Sequence, residues 1–217
     1  MISDGAFTSL SAARAALGLS SDAEVVALLP GSRKGEVSRL SGDFIAAAHR
    51  LARQRPGIRF VAPMANSAAR ALFEQALAAQ EPLPIEVIDG QSSLALTAAD
   101  CVLVASGTAT LETLLCKRPM VVAYRLGRAT AFIIRRLMRA PFFSQPNLLA
   151  GEALVPELFQ DEVTPEALAT ALAAWLDDGQ RRQKVEARFT RIHEQLRQGA
   201  SERAAEAVLA LLERLRR

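Results

Sequence analysis

The chain has 217 residues, of which 50% are hydrophobic, and its formal net charge is +3. This length and apolar content are enough for a substantial core. No run of about 18 apolar residues is present, so the sequence predicts no membrane-spanning helix. Residues 1–18 lack the charged-then-apolar layout of a signal peptide.

Cysteine and histidine are scarce, with 2 residues of each. No spacing of Cys, His or acidic residues resembles a metal site, and we expect neither a metal nor another cofactor. Cys101 falls in a predicted strand and Cys116 near a helix end, which favours a reducing compartment over a disulfide scaffold. His49 and His193 are interpreted as helix residues and not as catalytic bases.

Strand and helix patterns alternate along the first half of the chain. The predicted strands are Val25–Leu29, Arg59–Ala62, Ile85–Ile88, Cys101–Val104 and Met120–Tyr124. The helices between them are Glu36–Arg53, Ser67–Ala79, Ser92–Ala98 and Thr108–Cys116. This alternation predicts an α/β fold, a Rossmann-like parallel sheet with helices on both faces.

The remainder of the chain has helical patterns. The predicted helices are Thr130–Arg139, Pro165–Asp177, Gln180–Arg197 and Ser201–Arg217. We expect residues 1–22 to be a linker or lead segment, residues 23–200 to form the Rossmann-like domain, and residues 201–217 to form a C-terminal helix. That last helix has an apolar stripe, which needs a surface to cover it. Three arrangements stay open: a crossover onto another domain, exchange between two copies in a swapped homodimer, or a monomer in which the helix folds onto Pro165–Arg197.

Several loops follow the predicted strands, and ligands of such sheets bind beyond the carboxyl ends of the strands. After the first strand comes Pro30-Gly31-Ser32-Arg33-Lys34-Gly35, where glycines allow close approach and Arg33 can grip a phosphate. The spacing does not fit a P-loop. Asp89-Gly90-Gln91 follows the third strand, and Tyr124-Arg125 ends the fifth. Each loop is a weak signal, but together they point to a nucleotide site.

The most informative loop follows the fourth strand and has the sequence Ala105-Ser106-Gly107-Thr108-Ala109-Thr110-Leu111-Glu112. Small residues at a helix N-terminus leave backbone N–H groups bare for an anion. Glu112 lies one turn beyond Thr108, roughly 5–6 Å along the axis, which suits a ribose diol. The pattern indicates a nucleoside diphosphate; the alternative interpretation is a capped helix with a solvated Glu112.

Acidic residues are absent from Thr113 to Gly151, whereas seven basic residues lie there. Such segregation indicates an anionic partner: a diphosphate, a lipid phosphate or an acidic membrane. One Trp, one Tyr and no recognised motif argue against nucleic acid. The Arg125–Phe143 stretch has the pattern of an interfacial basic helix, with membrane or lipid contacts expected at Arg128, Phe132, Arg135, Arg136 and Arg139.

Four motifs resemble the lipid-A-disaccharide synthases. They are Pro30-Gly31-Ser32-Arg33 with Glu36-Val37, Ala105-Ser106-Gly107-Thr108-Ala109 with Leu111-Glu112, Pro119-Met120-Val121-Val122 with Tyr124-Arg125, and Pro146-Asn147-Leu148-Leu149-Ala150-Gly151. The resemblance runs from about Ala23 to the C-terminus. It implies the C-terminal, nucleotide-binding half of a GT-B glycosyltransferase. It also implies a cytoplasmic enzyme, peripheral on the inner membrane of a Gram-negative bacterium.

Members of that family transfer 2,3-diacylglucosamine from its UDP derivative to 2,3-diacylglucosamine 1-phosphate, which gives lipid A disaccharide 1-phosphate and UDP. The resemblance implies catalytic roles for Arg33 and Asn147. Arg33 would contact the departing diphosphate, and Asn147 the donor sugar or phosphate. It implies that UDP is bound by Gly31, Ser32, Arg33, Gly90, Gln91, Ser106, Gly107, Thr108 and Glu112.

The resemblance does not extend to the family's N-terminal half, which would supply acceptor contacts and the general base. The implied partners are therefore UDP-diacylglucosamine, a lipid acceptor, an anionic membrane surface and an N-terminal half of the same enzyme. Two other functions stay open: a UDP-sugar 2-epimerase-like enzyme and a non-catalytic UDP-binding half-domain. The Pro146–Gly151 segment argues against the epimerase.

Overall fold

The computed structural model describes residues 9–127 and 141–197, together with Val208. Within them, one sheet of six parallel strands has the order β3-β2-β1-β4-β5-β6. The strands are β1 (Val25–Leu29), β2 (Arg59–Met64), β3 (Ile85–Asp89), β4 (Cys101–Ala105), β5 (Met120–Tyr124) and β6 (Glu157–Phe159). The predicted Rossmann-like α/β fold is confirmed.

Helices connect the strands. They are α1 (Leu10–Ala16), α2 (Lys34–Gln54), α3 (Ser67–Ala78), α4 (Ser92–Ala98), α5 (Thr108–Leu115), α6 (Gln145–Ala150), α7 (Pro165–Asp177) and α8 (Gly179–Leu196), with a short 3₁₀ turn at Gln160–Glu162. Parallel crossovers are right-handed, and the strand order reverses between β1 and β4. Helices α2 and α3 therefore lie on one face of the sheet, and α4 and α5 on the other.

The core lies on both sides of the central strands. Every residue of β1 and β4 is buried, as expected for strands covered by helices on both faces. Helix α2 buries its predicted stripe, which includes Val37, Leu40, Phe44 and Leu51. On α7, the buried Trp175 donates its indole N–H to the Met120 carbonyl at 3.0 Å, which ties this helix to β5.

Three elements were not predicted: α1, α6 and β6. Residues 10–16 fall in the predicted lead segment, yet they form a helix that packs against α4. Strand β6 pairs with β5 alone. Because it has only three residues, it is too short for an alternation of apolar and polar residues to be detected. Helix α6 begins at Gln145 with Pro146 in its first turn, where the sequence analysis had assigned only a motif.

Two predicted helices, Thr130–Arg139 and Ser201–Arg217, lie outside the described residues, except for Val208. The same holds for the predicted lipid or membrane contacts Arg128, Phe132, Arg135, Arg136 and Arg139. In the part of the chain that the structure describes, no helix is both long and apolar enough to span a bilayer.

Candidate functional site

A cavity of about 520 Å³ opens at the carboxyl ends of β1, β2 and β4. Its position next to β1 and β4, where the strand order reverses, is where such sheets bind ligands. Its volume lies in the range of small-molecule sites. Eight of the nine predicted UDP-binding residues line it: Gly31, Ser32, Arg33, Gly90, Ser106, Gly107, Thr108 and Glu112.

The ninth predicted residue, Gln91, does not line the cavity. It lies between the lining residues Gly90 and Ser92 and is the N-cap of α4. Its φ of 52° places it in the left-handed region, which is unusual for a residue other than glycine. The bend turns the chain from β3 into α4 and leaves Gly90 facing the cavity.

The N-terminus of α5 faces the cavity and has no side-chain cap. The first N–H groups of a helix lack partners within the helix and carry its positive dipole end, so this terminus can hold an anion. The loop before it is fixed, because the Ser106 amide donates to the Ala123 carbonyl on β5 at 2.9 Å. Ser106 and Thr108 add hydroxyl groups at the same place.

Glu112 projects from the next turn of α5 into the same cavity. Its carboxylate is exposed and accepts a bond from the Ser92 hydroxyl at 3.3 Å. A carboxylate one turn from an anion-binding helix start has the spacing between a diphosphate and a ribose diol. The predicted relation between Thr108 and Glu112 is therefore present in the structure.

The loop after β1 is organised by Glu36, a residue the sequence analysis quoted as part of a motif without giving it a role. One carboxylate oxygen of Glu36 accepts the amides of Ser32 and Arg33 at 3.2 and 3.3 Å, and the other accepts from the Arg33 guanidinium at 3.0 Å. Gly31 has a φ of 120°, and a Cβ there would lie 2.6 Å from the Glu36 Cβ. Only glycine fits this turn.

The two loops therefore differ in what they offer an anion. At the start of α2, Glu36 already occupies the amides of Ser32 and Arg33. At the start of α5, no side chain caps the helix. Arg33, whose side chain is 84% exposed, is the one cation among the described residues that line the cavity. A diphosphate would thus meet the α5 amides and the Arg33 guanidinium.

Asn147 does not line the cavity, contrary to the prediction of a direct contact with sugar or phosphate. Its side chain is 1% exposed. The amide nitrogen donates to the Val155 carbonyl and to Glu157, and the oxygen accepts the amides of Leu154 and Val155, all at 2.8–3.0 Å. Both donors and both acceptor positions are used, so we reassign Asn147 to positioning the corner between α6 and β6.

The residues that end β5 are also structural. Tyr124 packs its ring against Phe143 and Phe159, with centroids 5.9 and 6.1 Å away. Arg125 pairs with Asp43 on α2 and donates to the Val163 carbonyl. Burial raises the pKa of Asp43, and the Arg125 guanidinium opposes that rise. Neither Tyr124 nor Arg125 lines the cavity.

The cavity also has walls that the sequence analysis did not predict. They are formed by the end of β2 and by the segment before α6, through Pro63, Met64, Ala65, Phe143 and Gln145. Four of these side chains are apolar, and the fifth, Gln145, carries an amide at the start of α6. Their role follows from the topology, since β2 ends beside β1 at the same edge of the sheet.

Comparison with solved structures places this fold among GT-B-like proteins. Escherichia coli ADP-heptose LPS heptosyltransferase II aligns with a TM-score of 0.57 at 16% identity, covering 81% of this chain and 52% of that one. The calicheamicin glycosyltransferase CalG4 aligns with a TM-score of 0.53 at 21% identity, covering 89% of this chain and 44% of that one. The Neisseria meningitidis UDP-GlcNAc 2-epimerase, solved with UDP-GlcNAc, aligns at 0.53 with 14% identity, covering 81% and 42%. At these identities the likeness concerns the fold alone.

Sequence comparison identifies the family. The family model of lipid-A-disaccharide synthetase matches residues 6–211. The chain is 58% identical to a lipid-A-disaccharide synthase of Pseudomonas aeruginosa (strain UCBPP-PA14) over 203 residues, 94% of this chain and 53% of that protein. A synthase of Pseudomonas putida (strain KT2440) is 59% identical over 201 residues, 93% and 52%.

The described residues thus have a GT-B-like fold, the fold also found in two solved glycosyltransferases. Within that class the chain belongs to the lipid-A-disaccharide synthase family, as its four motifs predicted. It spans about half the length of the curated relatives it matches.

Proposed function

We propose that this domain binds the UDP moiety of UDP-2,3-diacylglucosamine in the cavity beside β1 and β4. One observation carries the proposal: eight residues selected from sequence alone converge on a single cavity. They bring together an uncapped helix start, one exposed arginine and a carboxylate one helical turn away. A structural role for these residues would not require this convergence.

The proposed chemistry is electrostatic. As the bond between sugar and diphosphate breaks, negative charge grows on UDP. The α5 amides, the hydroxyls of Ser106 and Thr108, and the Arg33 guanidinium are the donors at the cavity that would stabilise this charge. Glu112 would accept from the ribose hydroxyls, and Gly90 would border the uracil through main-chain groups.

The proposed complete reaction is that of the family: transfer of 2,3-diacylglucosamine to 2,3-diacylglucosamine 1-phosphate, with UDP released. We assign to this chain the donor-nucleotide half of that reaction. The acceptor contacts and the general base would come from an N-terminal half. The 2-epimerase alternative loses support, because its likeness to this chain is confined to the fold, whereas identity to the synthases reaches 59%.

The proposed setting is the cytoplasmic face of the Gram-negative inner membrane. The basic stretch of Arg125–Phe143 supports a peripheral membrane contact by its composition. The apolar stripe of residues 201–217 supports either a crossover onto the N-terminal half or a swapped homodimer. Light scattering of the full chain and of a version ending at Gly199 separates the swapped dimer from a monomer.

Calorimetry with UDP in the presence of excess chelator tests the nucleotide site. We expect saturable binding without divalent metal, because the proposed donors are amides, hydroxyls and a guanidinium. A non-catalytic UDP-binding half-domain would give the same result, so binding alone does not separate it from a synthase half. An absolute requirement for metal, or no binding at millimolar UDP, contradicts the proposal.

A further inference from the structure

Glu157, the first residue of β6, collects four hydrogen bonds from one short segment. One of its carboxylate oxygens accepts the Phe143 amide at 2.9 Å. The other accepts the Ser144 amide at 3.0 Å, the Ser144 hydroxyl at 2.6 Å and the Asn147 side chain at 2.8 Å. A single carboxylate thus holds the chain from Phe143 to Asn147 against the edge of the sheet.

The segment that Glu157 holds is a wall of the nucleotide cavity. Phe143 and Gln145 line the cavity, on either side of the fully buried Ser144. The carbonyl of Phe143 accepts a long bond, 3.4 Å, from the hydroxyl of Ser106, which belongs to the proposed phosphate loop. The wall and the phosphate loop are therefore in direct contact.

The ring of Phe143 is fixed separately from its backbone. It packs against Tyr124 and Phe159 with centroid distances of 5.9 and 5.8 Å. The aromatic contacts set where the side chain lies, whereas the bond to Glu157 sets the direction of the peptide groups. Because the Phe143 carbonyl meets Ser106, backbone direction is the property that reaches the ligand site.

We infer that Glu157 is a positioning residue for the donor site. It orients the Phe143–Gln145 wall so that Ser106 faces the diphosphate, and it does so without touching the ligand. This inference rests on the proposed function, since it assigns the wall to the phosphate end of the UDP site. Asn147 belongs to the same hydrogen-bond network, because it links Glu157 to the Leu154–Val155 turn.

The substitution Glu157→Gln keeps the shape of the side chain but disrupts the hydrogen bonds that Glu157 accepts. A glutamine has one acceptor oxygen and one NH₂ group. In either orientation the NH₂ group faces at least one of the N–H or O–H donors that Glu157 now accepts. At least one buried donor is then left without a partner, although the fold of the strand is kept.

The matched control is Glu162→Gln. Glu162 lies five residues further along, is exposed, and accepts the Phe159 amide at 2.9 Å. It does not line the cavity. Both variants remove one charge from a carboxylate that accepts a backbone N–H. Glu157 is partly buried and accepts four bonds from the wall segment, whereas Glu162 is exposed and accepts an amide outside the wall.

The test combines hydrogen exchange with calorimetry on the full chain. In E157Q we expect the protection of backbone amides across residues 143–145 to fall. The affinity for UDP should fall roughly tenfold, whereas the affinity for uridine should change less than twofold. E162Q should match the wild type in all three. Should E157Q fail to fold, Ser144→Ala removes one of the four bonds and should weaken UDP binding selectively, by a smaller factor.

Other outcomes separate the inference from the proposed function. Lost protection in E157Q with unchanged UDP affinity overturns the positioning role, while UDP binding by the wild type still supports the site. An equal loss of affinity for UDP and uridine overturns it too, because such a loss indicates a general structural defect and not an effect at the phosphate end of the site. If the wild type binds no UDP, the proposed function fails. The exchange data then decide alone whether Glu157 orders the wall.

Discussion

Gly31 shows how one residue decides the geometry of a loop. Its φ of 120° is in the region that favours glycine, and the place of its missing Cβ is filled by Glu36. Gly31→Ala should cost about 1–3 kcal/mol of unfolding free energy, from backbone strain and the forced displacement of Glu36. Denaturant unfolding followed by circular dichroism measures this cost.

The matched control for this prediction is Gly42→Ala. Gly42 lies within α2, and a Cβ there would meet no atom within 4 Å. Alanine should therefore stabilise the protein by about 0.5–1 kcal/mol. Two variants of opposite sign would show that Gly31 is required by its conformation and contacts. A Gly31→Ala protein as stable as the wild type would contradict the geometry of this loop.

Arg33 and Glu112 should fail in different ways when they are replaced. Glu112→Ala should weaken UDP and UMP alike, by about 1.5–3 kcal/mol, because the ribose is common to both. Arg33→Ala should weaken the binding of UDP more than that of UMP, because the guanidinium is proposed to contact the diphosphate. Calorimetry with both ligands measures the two patterns, and Glu194→Ala, an exposed change on α8, is the control. Identical patterns for the two variants would refute these assignments.

At the residue scale, the sequence predicted positions well where they depend on the backbone near a strand end. The loop with Ser106, Gly107 and Thr108 could be placed because a strand and a helix pattern bracket it. Asn147 was misplaced for a physical reason: the residues that saturate its amide, from Leu154 to Glu157, belong to a turn and a strand with no sequence signal. Its side-chain direction could not be inferred from its motif.

At the scale of elements, helix α1 is joined to the sheet by a buried arginine. Arg14 is 4% exposed and donates to Asp100 at 2.7 Å, to the Ala98 carbonyl at 3.1 Å and to the Ser21 carbonyl at 2.6 Å. Asp100 also accepts the Val25 amide at 2.8 Å, at the start of β1. The charged pair thus connects α1, the end of α4 and β1.

Arg14→Ala should lower the unfolding free energy by about 3 kcal/mol, because it leaves partly buried acceptors without their donor. The control is Arg70→Ala, whose partners Glu74 and Asp89 are exposed, so solvent screens the lost pairs and stability should barely change. Urea unfolding of both variants measures the difference. Equal, small losses would show that α1 is only loosely attached.

The elements themselves were predictable in proportion to their periodicity. Helix α2 was recovered within two residues at each end, because its apolar stripe continues from Val37 to Leu51, about four turns. Helix α1 was missed, since its seven residues bury mainly Ala13 and Arg14. A buried arginine is invisible to a hydrophobic pattern, because its place in the core depends on Asp100, which lies far along the chain.

The basic stretch Arg125–Phe143 supports one further prediction at this scale. Its residues 128–140 lie outside the described part, so the argument rests on sequence: five arginines interleave with apolar residues and no acid. We expect the chain to float with liposomes that contain anionic lipid, because each basic residue near such a surface contributes about 1 kcal/mol of attraction. Added salt should release the chain, because salt screens this attraction. Equal retention on neutral liposomes, or none on either, would contradict the membrane contact.

At the scale of the whole molecule, the chain matches about half the length of its relatives. Its fold and the cavity at the edge of the sheet could be predicted from the sequence because both belong to a single Rossmann-like unit. The acceptor site could not, because no motif in the chain carries it. The proposed general base is likewise absent from the motifs that line the cavity, where the described carboxylates are Glu36 and Glu112.

These two carboxylates are already assigned other partners. Glu36 accepts the amides of Ser32 and Arg33 as well as the Arg33 guanidinium, and Glu112 is proposed to bind the ribose. A base for the acceptor hydroxyl would have to stand on the opposite side of the sugar from the departing diphosphate. In a two-domain glycosyltransferase that side faces the other domain.

We therefore expect this chain alone to bind UDP but to release none from UDP-2,3-diacylglucosamine and the lipid acceptor. Adding the N-terminal half of a synthase from the family should restore turnover, because it supplies the missing side of the cleft. Arg33→Ala in the mixture should abolish the restored turnover, whereas Glu194→Ala should leave it intact. Turnover by the chain alone would refute the division of labour. Failure of the mixture, with UDP binding intact, would favour a non-catalytic nucleotide-binding domain.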